Sequence, residues 1–597
     1  MNIRIIFFWF IACSIFFGFL IFNSFYFING TGHDYSYFFP KMLDTLIFYQ
    51  TNGLIIQEYT PSYCAGSFVF ANPQSMAFSL PQILLFFFDP ITSVRLTYIV
   101  SSLVGFIGIF LCARQLKVSS IASFFAATLF ALSGFLLTRM IVGHLTFYSV
   151  FFSPLIAWFL MRSISLFENM ERLKSFTNLS LGSIMLAYSI FSGIGIMLLQ
   201  SIIVICFFVI LFGLKNKQLK ISLISLLVLL ILSSLLASPK IEASLALIEI
   251  NPREFYKLPG FEFFSVFKFV LTALIWIPET KIVNEMLLNK DWSLGWHELY
   301  YGLSPIVLMP LFALFSSKFR RQFISLIKNN PSISILFVLF FFIPILLNYY
   351  SPSWNDIIKD IPIIGQSSNL LRFIFSLIPI FAIASGFMFE KIPLKRTYKL
   401  SILLMMLLFL GIYQYFVLTL NLSPSKIEYK PDDVIKAWHE IIEDNRKVPV
   451  IDKLGFMRKT ANNRTVMMHA PNLDKLFLIG VSNAMCYEPI FGYRFEKAST
   501  YKLLPGDIFQ KVNNGLNFKN PACYVYPEVN NCPPSGQFRL QDKELLESFS
   551  KREPLTFTYP NSREIFNSLS FYLFILLIII IFTNFIKNIL KINISLK

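Results

Sequence analysis

The run Asn567-Ser-Leu-Ser-Phe571-Tyr-Leu-Phe-Ile-Leu-Leu-Ile-Ile-Ile-Ile581-Phe-Thr-Asn-Phe-Ile586 carries no charged residue and is apolar on every face. A helix apolar all round cannot stand in water. A run of about 20 such residues matches the hydrocarbon thickness of a bilayer. Comparable runs lie at 5–28, 91–113, 119–138, 146–162, 176–192, 194–213, 219–237, 301–316, 332–349, 371–390 and 399–420. The expected fold is therefore an all-α polytopic membrane bundle of about 12 transmembrane helices. The first run lacks a small-residue cleavage site before its polar exit and is read as a retained helix rather than a signal peptide.

Composition agrees. The chain is 55% hydrophobic and 14% charged, with 69 Phe and a mean hydropathy of +0.63. A soluble domain carries about 25% charged residues, so most of this chain is dissolved in lipid. The formal net charge of +17 does not point to nucleic acid, because the positive residues fall in short tracts between apolar runs. These hold Arg114 and Lys117; Arg162, Arg172 and Lys174; Lys215, Lys217 and Lys220; Lys318, Arg320 and Arg321; Lys391, Lys395, Arg396 and Lys399; and Lys587 and Lys591. Short basic loops mark the cytoplasmic side. With the N-terminus inside, every tract becomes cytoplasmic, as does the C-terminal tail. The expected location is the plasma (inner) membrane, with both termini cytoplasmic.

Three divisions follow: a multi-pass domain at 1–420 with long outer loops at 29–90 and 238–300, an extracytoplasmic domain at 421–562, and a final helix with its tail at 563–597. A third outer loop spans 350–370. Residues 34–44 mix aromatics with acids as an interfacial amphipathic helix does, while 75–88 and 261–277 are apolar but too short to span. The 421–562 segment is rich in Asn, Lys, Asp, Glu and Pro, with short alternating runs at 448–451 and 476–481, and reads as mixed α/β. Cys13, Cys112 and Cys206 lie in apolar runs, whereas Cys64, Cys486, Cys523 and Cys532 fall in outer segments. Cys523 and Cys532 enclose a short polar loop, and a disulfide there suits an oxidising compartment. No Cys/His cluster has metal-ligand spacing.

Charge at a membrane level is costly, so ionisable residues at span ends need a reason to be there. Asp34 follows the first span, Arg95 starts the second, and Arg139 and His144 lie between the third and fourth. Glu242, Arg253 and Glu254 follow the seventh, His297 and Glu298 precede the eighth, and Arg372 opens the tenth. All belong to the outer face, where arginine is disfavoured. A single arginine at a helix end usually snorkels to headgroups. Several arginines, two histidines and acids at one level instead suit a lipid phosphate held by guanidinium groups, beside a carboxylate that takes a proton from an attacking hydroxyl.

Gly32-His33-Asp34 with Pro40 resembles the first-outer-loop signature of GT-C glycosyltransferases. Asn72-Pro73-Gln74 through Pro81, Arg139 with Gly143-His144 and Pro154, Glu298 with Tyr301-Gly302, and Ile361-Pro362 with Arg372 and Gly386 are similar to the YfhO-type bacterial branch. The resemblance covers roughly 1–420. It implies a GT-C-like bundle that moves a sugar from a polyprenyl-phosphate donor to the hydroxyl of a cell-surface glycan or other acceptor, with inversion. It also implies a general base at Asp34, donor-phosphate contacts from Arg139, His144, Arg372 and Arg95, and substrate orientation by His33, Glu298 and His297. No Asp-x-Asp is present for a divalent metal, so a metal-independent mechanism is expected and no cofactor is firmly implied. A transporter or flippase of a lipid-linked glycan is the alternative; it would place its charges near the midplane, in two related halves. An anchor for an assembly factor would not need so many passes.

Overall fold

A computed structural model describes residues 34–251, 257–290, 293–315, 317–361, 364–365, 367, 369–421, 431–442, 449–455, 477–483, 503–534, 536–554 and 557–595. The expected span at 5–28, His33, Arg253, Glu254, Pro362 and Cys486 lie outside the described residues. Among those described, nine helices are long and apolar enough to cross a membrane: Pro90–Gln115, Ser120–Val142, Leu145–Glu168, Gly195–Lys215, Leu219–Leu236, Pro331–Asn348, Leu370–Lys391, Arg396–Val417 and Asn561–Leu590. The chain is a helical, multi-pass membrane protein. Two other expected spans take a different form. Residues 176–192 lie in the Arg172–Phe191 helix, whose serines and flanking charges keep it out of the nine. Residues 301–316 contain a 3₁₀ run, Pro305–Phe315, too short to cross as a helix.

Burial separates helices that look alike in hydropathy. The most apolar stretch of Ser120–Val142 is wholly buried, whereas only 6% of that of Asn561–Leu590 is. One is the hub of the bundle and the other is a peripheral, lipid-facing helix. The hub is interrupted between Ala131 and Gly134. The carbonyls involved find partners within the protein, as lipid demands: the Gln414 side-chain amide donates to Leu132 O and Gly302 O, both at 3.0 Å. A Cβ on Gly134 would lie 2.1 Å from the Tyr300 ring, so glycine is what lets the 300–304 segment press against the hub.

The bundle has two chemically distinct ends. At one, Lys215 donates to Leu116 O, Lys399 donates to Glu390 O at 2.9 Å, and Lys117 and Lys391 both act on the Lys215 ammonium. The short basic loops thus gather there. At the opposite end the 34–90 segment folds back over the helices. Its Tyr35–Asn52 helix, read from the sequence as interfacial, is instead buried along most of its length, including Asp44. The reason lies far along the chain. Arg552 reaches Asp44 at 3.4 Å, and Gln57, Thr60 and Ser62 donate to the same carboxylate. A buried acid so paired no longer needs water.

The described residues of 431–554 cover this same end. They form the helices Pro431–Ile442 and Lys543–Ser550 and two three-stranded sheets. In one, Lys453–Gly455 pairs parallel with Val481–Asn483 and antiparallel with Gly506–Asp507. In the other, Gly515–Lys519 is central between Lys511–Val512 and Gln537–Arg539. The first of these strands starts two residues beyond the alternating run at 448–451, and the second starts at the last residue of the run at 476–481, where Phe477–Ile479 is taken up by a 3₁₀ turn. Trp438 Nε1 donates to Leu85 O at 2.9 Å, Lys519 N to Ala65 O at 2.9 Å, and Asn251 Nδ2 to Tyr524 O at 2.9 Å. This unit and the 34–90 segment share one apolar core. Cys523 and Cys532 are joined by a disulfide, with Cα atoms 5.9 Å apart, and Cys64 is disulfide-bonded as well.

Candidate functional site

Four chain segments bring the site together at the end away from the basic loops. Asp34 leads into the Tyr35–Asn52 helix, and its amide donates to Val142 O at 3.3 Å. Arg139 sits in the last turn of the hub helix, where the dipole favours a cation. That helix stops at Gly143, a left-handed C-terminal glycine with φ +101°. A Cβ there would meet Tyr35 N at 2.7 Å, so the stop and the close approach of Asp34 require the same glycine. His144 follows at once. Glu298 lies in a 3₁₀ turn, Trp296–Glu298, and Arg372 in the turn capped by Asn369, whose Oδ1 accepts from Leu371 N at 2.9 Å.

The side chains form a chain of contacts. Arg372 grips Glu298 Oε1 through Nη2 at 2.8 Å and Nε at 3.1 Å. Arg139 Nη2 donates to Glu298 Oε2 at 2.7 Å, and Arg139 Nη1 lies 3.4 Å from His144 Nδ1. His144 Nε2 meets Asp34 Oδ2 at 2.7 Å. A guanidinium can only donate, so His144 Nδ1 is the acceptor. The imidazole proton therefore sits on Nε2 and is donated to Asp34. Burial lowers the His144 basicity, although Asp34 draws it back up, so the neutral tautomer fits the contacts. His297 packs edge-on to His144 with ring centroids 5.2 Å apart, and burial pushes it down to about 3. Burial alone would raise the Glu298 carboxyl, but Arg139 and Arg372 more than offset it and hold it well below the ordinary carboxylate range. Phe147 serves both arginines, with guanidinium carbons 5.5 and 5.3 Å from its ring.

Of the residues singled out from the sequence, Asp34, Arg139, His144, His297, Glu298 and Arg372 converge in this cluster. Arg95, on the Pro90–Gln115 helix, acts electrostatically on the Tyr35 hydroxyl beside it. Arg139 and Arg372 share Glu298, and His144 pairs with Asp34. Arg139 is fully buried, whereas 15% of the Arg372 side chain is exposed. Asp34 keeps 22% of its side chain open.

A second charged group lies outside the residues that the sequence singles out. Arg563 binds Glu58 at 2.8 Å, donates to Pro239 O and lies 4.4 Å from the Phe70 ring. Lys240 donates to Phe70 O and, at 2.7 Å, to Asn72 O. The signal was available: both cations stand at ends of apolar runs away from the basic loops, the anomaly that flagged Arg139 and Arg372. Among the described residues no group of His, Cys, Asp and Glu is arranged to hold a metal ion. No protein-family model and no curated protein matches the chain.

Proposed function

We propose that the chain is a membrane glycosyltransferase of GT-C type, with about 12 spans, both termini cytoplasmic and the Asp34 cluster on the outer face of the plasma membrane. It moves a sugar from a polyprenyl-phosphate donor to an acceptor hydroxyl. The observation that carries the reading is the partly open Asp34 carboxylate, oriented by His144 and joined through Arg139 to the buried Glu298–Arg372 pair.

The acceptor O–H is aligned with Asp34, which takes its proton as the oxygen bonds to the anomeric carbon. The bond from that carbon to the phosphate oxygen breaks, and the phosphate leaves with the electron pair. Arg372 supports the reading because only its Nε and Nη2 are engaged, which leaves Nη1 without a hydrogen-bond partner among the described residues. It meets the departing phosphate together with Arg95. Arg139 and Glu298 hold His144 and Arg372 in place. The Cys523–Cys532 disulfide supports the outer placement of that segment, since such bonds persist in oxidising compartments.

Asp34→Asn tests this directly. The variant keeps the shape and the contact from His144 but loses the base, and transfer is expected to fall by about 10²–10⁴-fold. Lipid-linked and cell-wall glycans are compared in cells carrying either form, with membrane insertion checked. Glycans identical to wild type in a well-inserted variant would remove the assignment.

A further inference from the structure

A cavity opens along the helix that starts at Asp34. Tyr37, Phe38, Lys41 and Thr45 contribute to its wall; these positions and Asp34 fall on one face of the helix by their spacing. The lining combines rings with amides: Tyr63 and Phe68 on one hand, Asn72, Gln74 and Gln82 on the other. Its two charged side chains are both engaged. Lys41 stands 4.1 Å over the Tyr37 ring, and the Asp44 carboxylate is already paired with Arg552. The Gln82 carbonyl oxygen is unmatched. Gln82 donates its amide hydrogen to Met42 O at 3.1 Å, but its Oε1 is buried with no hydrogen-bond partner among the described residues. A buried carbonyl oxygen left so costs about 1–3 kcal/mol, and a hydroxyl presented from the cavity would satisfy it.

Resting on the glycosyltransferase reading, we infer that this cavity is the acceptor subsite and that it takes a neutral sugar residue rather than a phosphorylated or charged group. Aromatic faces with carbonyl and amide partners match the apolar faces and hydroxyl edges of a pyranose. The unmatched Gln82 Oε1 is an acceptor, so it calls for a hydroxyl donor, which a phosphate dianion cannot supply. The shared helix explains how an acceptor seated there presents a hydroxyl toward Asp34. It also gives the 431–554 unit a purpose: Arg552 holds Asp44, and with it one wall of the subsite.

The test uses full-length protein in detergent and saturation-transfer NMR with methyl glycosides of glucose, galactose and mannose, against glucose 1-phosphate. At least one neutral glycoside should receive saturation and the sugar phosphate should not. Gln82→Met removes the unmatched acceptor, and Ala77→Leu fills the cavity from a residue that lines it without touching Gln82. Each is expected to weaken glycoside binding roughly tenfold, with thermal unfolding showing that each variant is folded. Unchanged glycoside binding in either folded variant would overturn the subsite, as would a preference for the sugar phosphate. Asp34→Asn should bind the glycoside normally and fail in transfer. If it binds and transfers as wild type, the assignment of Asp34 as the base fails and the cavity stands. If transfer is lost but Ala77→Leu leaves binding intact, the reverse holds.

Discussion

At the residue scale, Glu298 is the centre of the cluster. It pairs with two guanidinium groups, one of them with no exposed side-chain surface. Removing one partner of a buried ion pair costs about 3–5 kcal/mol, chiefly because the other charge stays buried and uncompensated. Glu298→Gln preserves shape and a carbonyl oxygen but not the charge. It should lower stability by that order and show a depressed thermal midpoint in detergent; an unchanged midpoint would mean that the arginines have another anion. His297 predicts a pH effect of definite sign. An unfolded histidine takes its proton near 6.5, whereas burial holds the folded one near 3. Between those values the unfolded chain binds more protons, so stability is present above about 6.5 and is lost as pH falls toward 3. The thermal midpoint should drop through that window, and the drop should be smaller in His297→Asn.

At the element scale, Gly143 ends the hub helix and admits the Tyr35–Asn52 helix in one stroke. Gly53, at the other end of that second helix, also has positive φ, at +78°, but a Cβ there meets nothing within 4 Å. The pair separates backbone strain from crowding. Gly53→Ala should cost only the strain, about 1–3 kcal/mol. Gly143→Ala adds a collision with the Tyr35 amide, so it should cost more than Gly53→Ala and reduce transfer by displacing Asp34. Equal thermal midpoints and equal transfer for the two variants would show that the contact yields freely. This element also marks where sequence reading stops. The spans were legible because lipid imposes length and hydropathy residue by residue, and the site was legible because arginines away from the basic loops are costly wherever they pack. The Tyr35–Asn52 helix was misjudged because its burial depends on Arg552, some 508 positions away from Asp44, and no local period carries that. The 301–316 segment has enough apolar residues for a span, but it lies beside Gly134, and close packing against the hub prevailed over hydropathy.

At the scale of the whole molecule, the basic loops lie at one end of the bundle, and the Asp34 cluster, the cavity and the 431–554 unit at the other. Orientation is then a single binary property, and the positive-inside rule chooses the basic end as cytoplasmic. Single cysteines at Lys217 and Lys395, both exposed at the basic end, and at Asn513, exposed in the turn between strands Lys511–Val512 and Gly515–Lys519, report it. Cys112 and Cys206, the free thiols among the described residues, lie within spans and give little background. An impermeant maleimide on intact cells should label the Asn513→Cys protein, and label Lys217→Cys and Lys395→Cys only after permeabilisation. The opposite pattern would carry consequences beyond topology. It would put the disulfides in a reducing compartment and turn Asp34 toward the cytoplasm, away from any donor presented on the outer leaflet. The transferase reading would then fall with the orientation, because the arginines at that end would cease to be anomalous, and their anomaly is what singled them out.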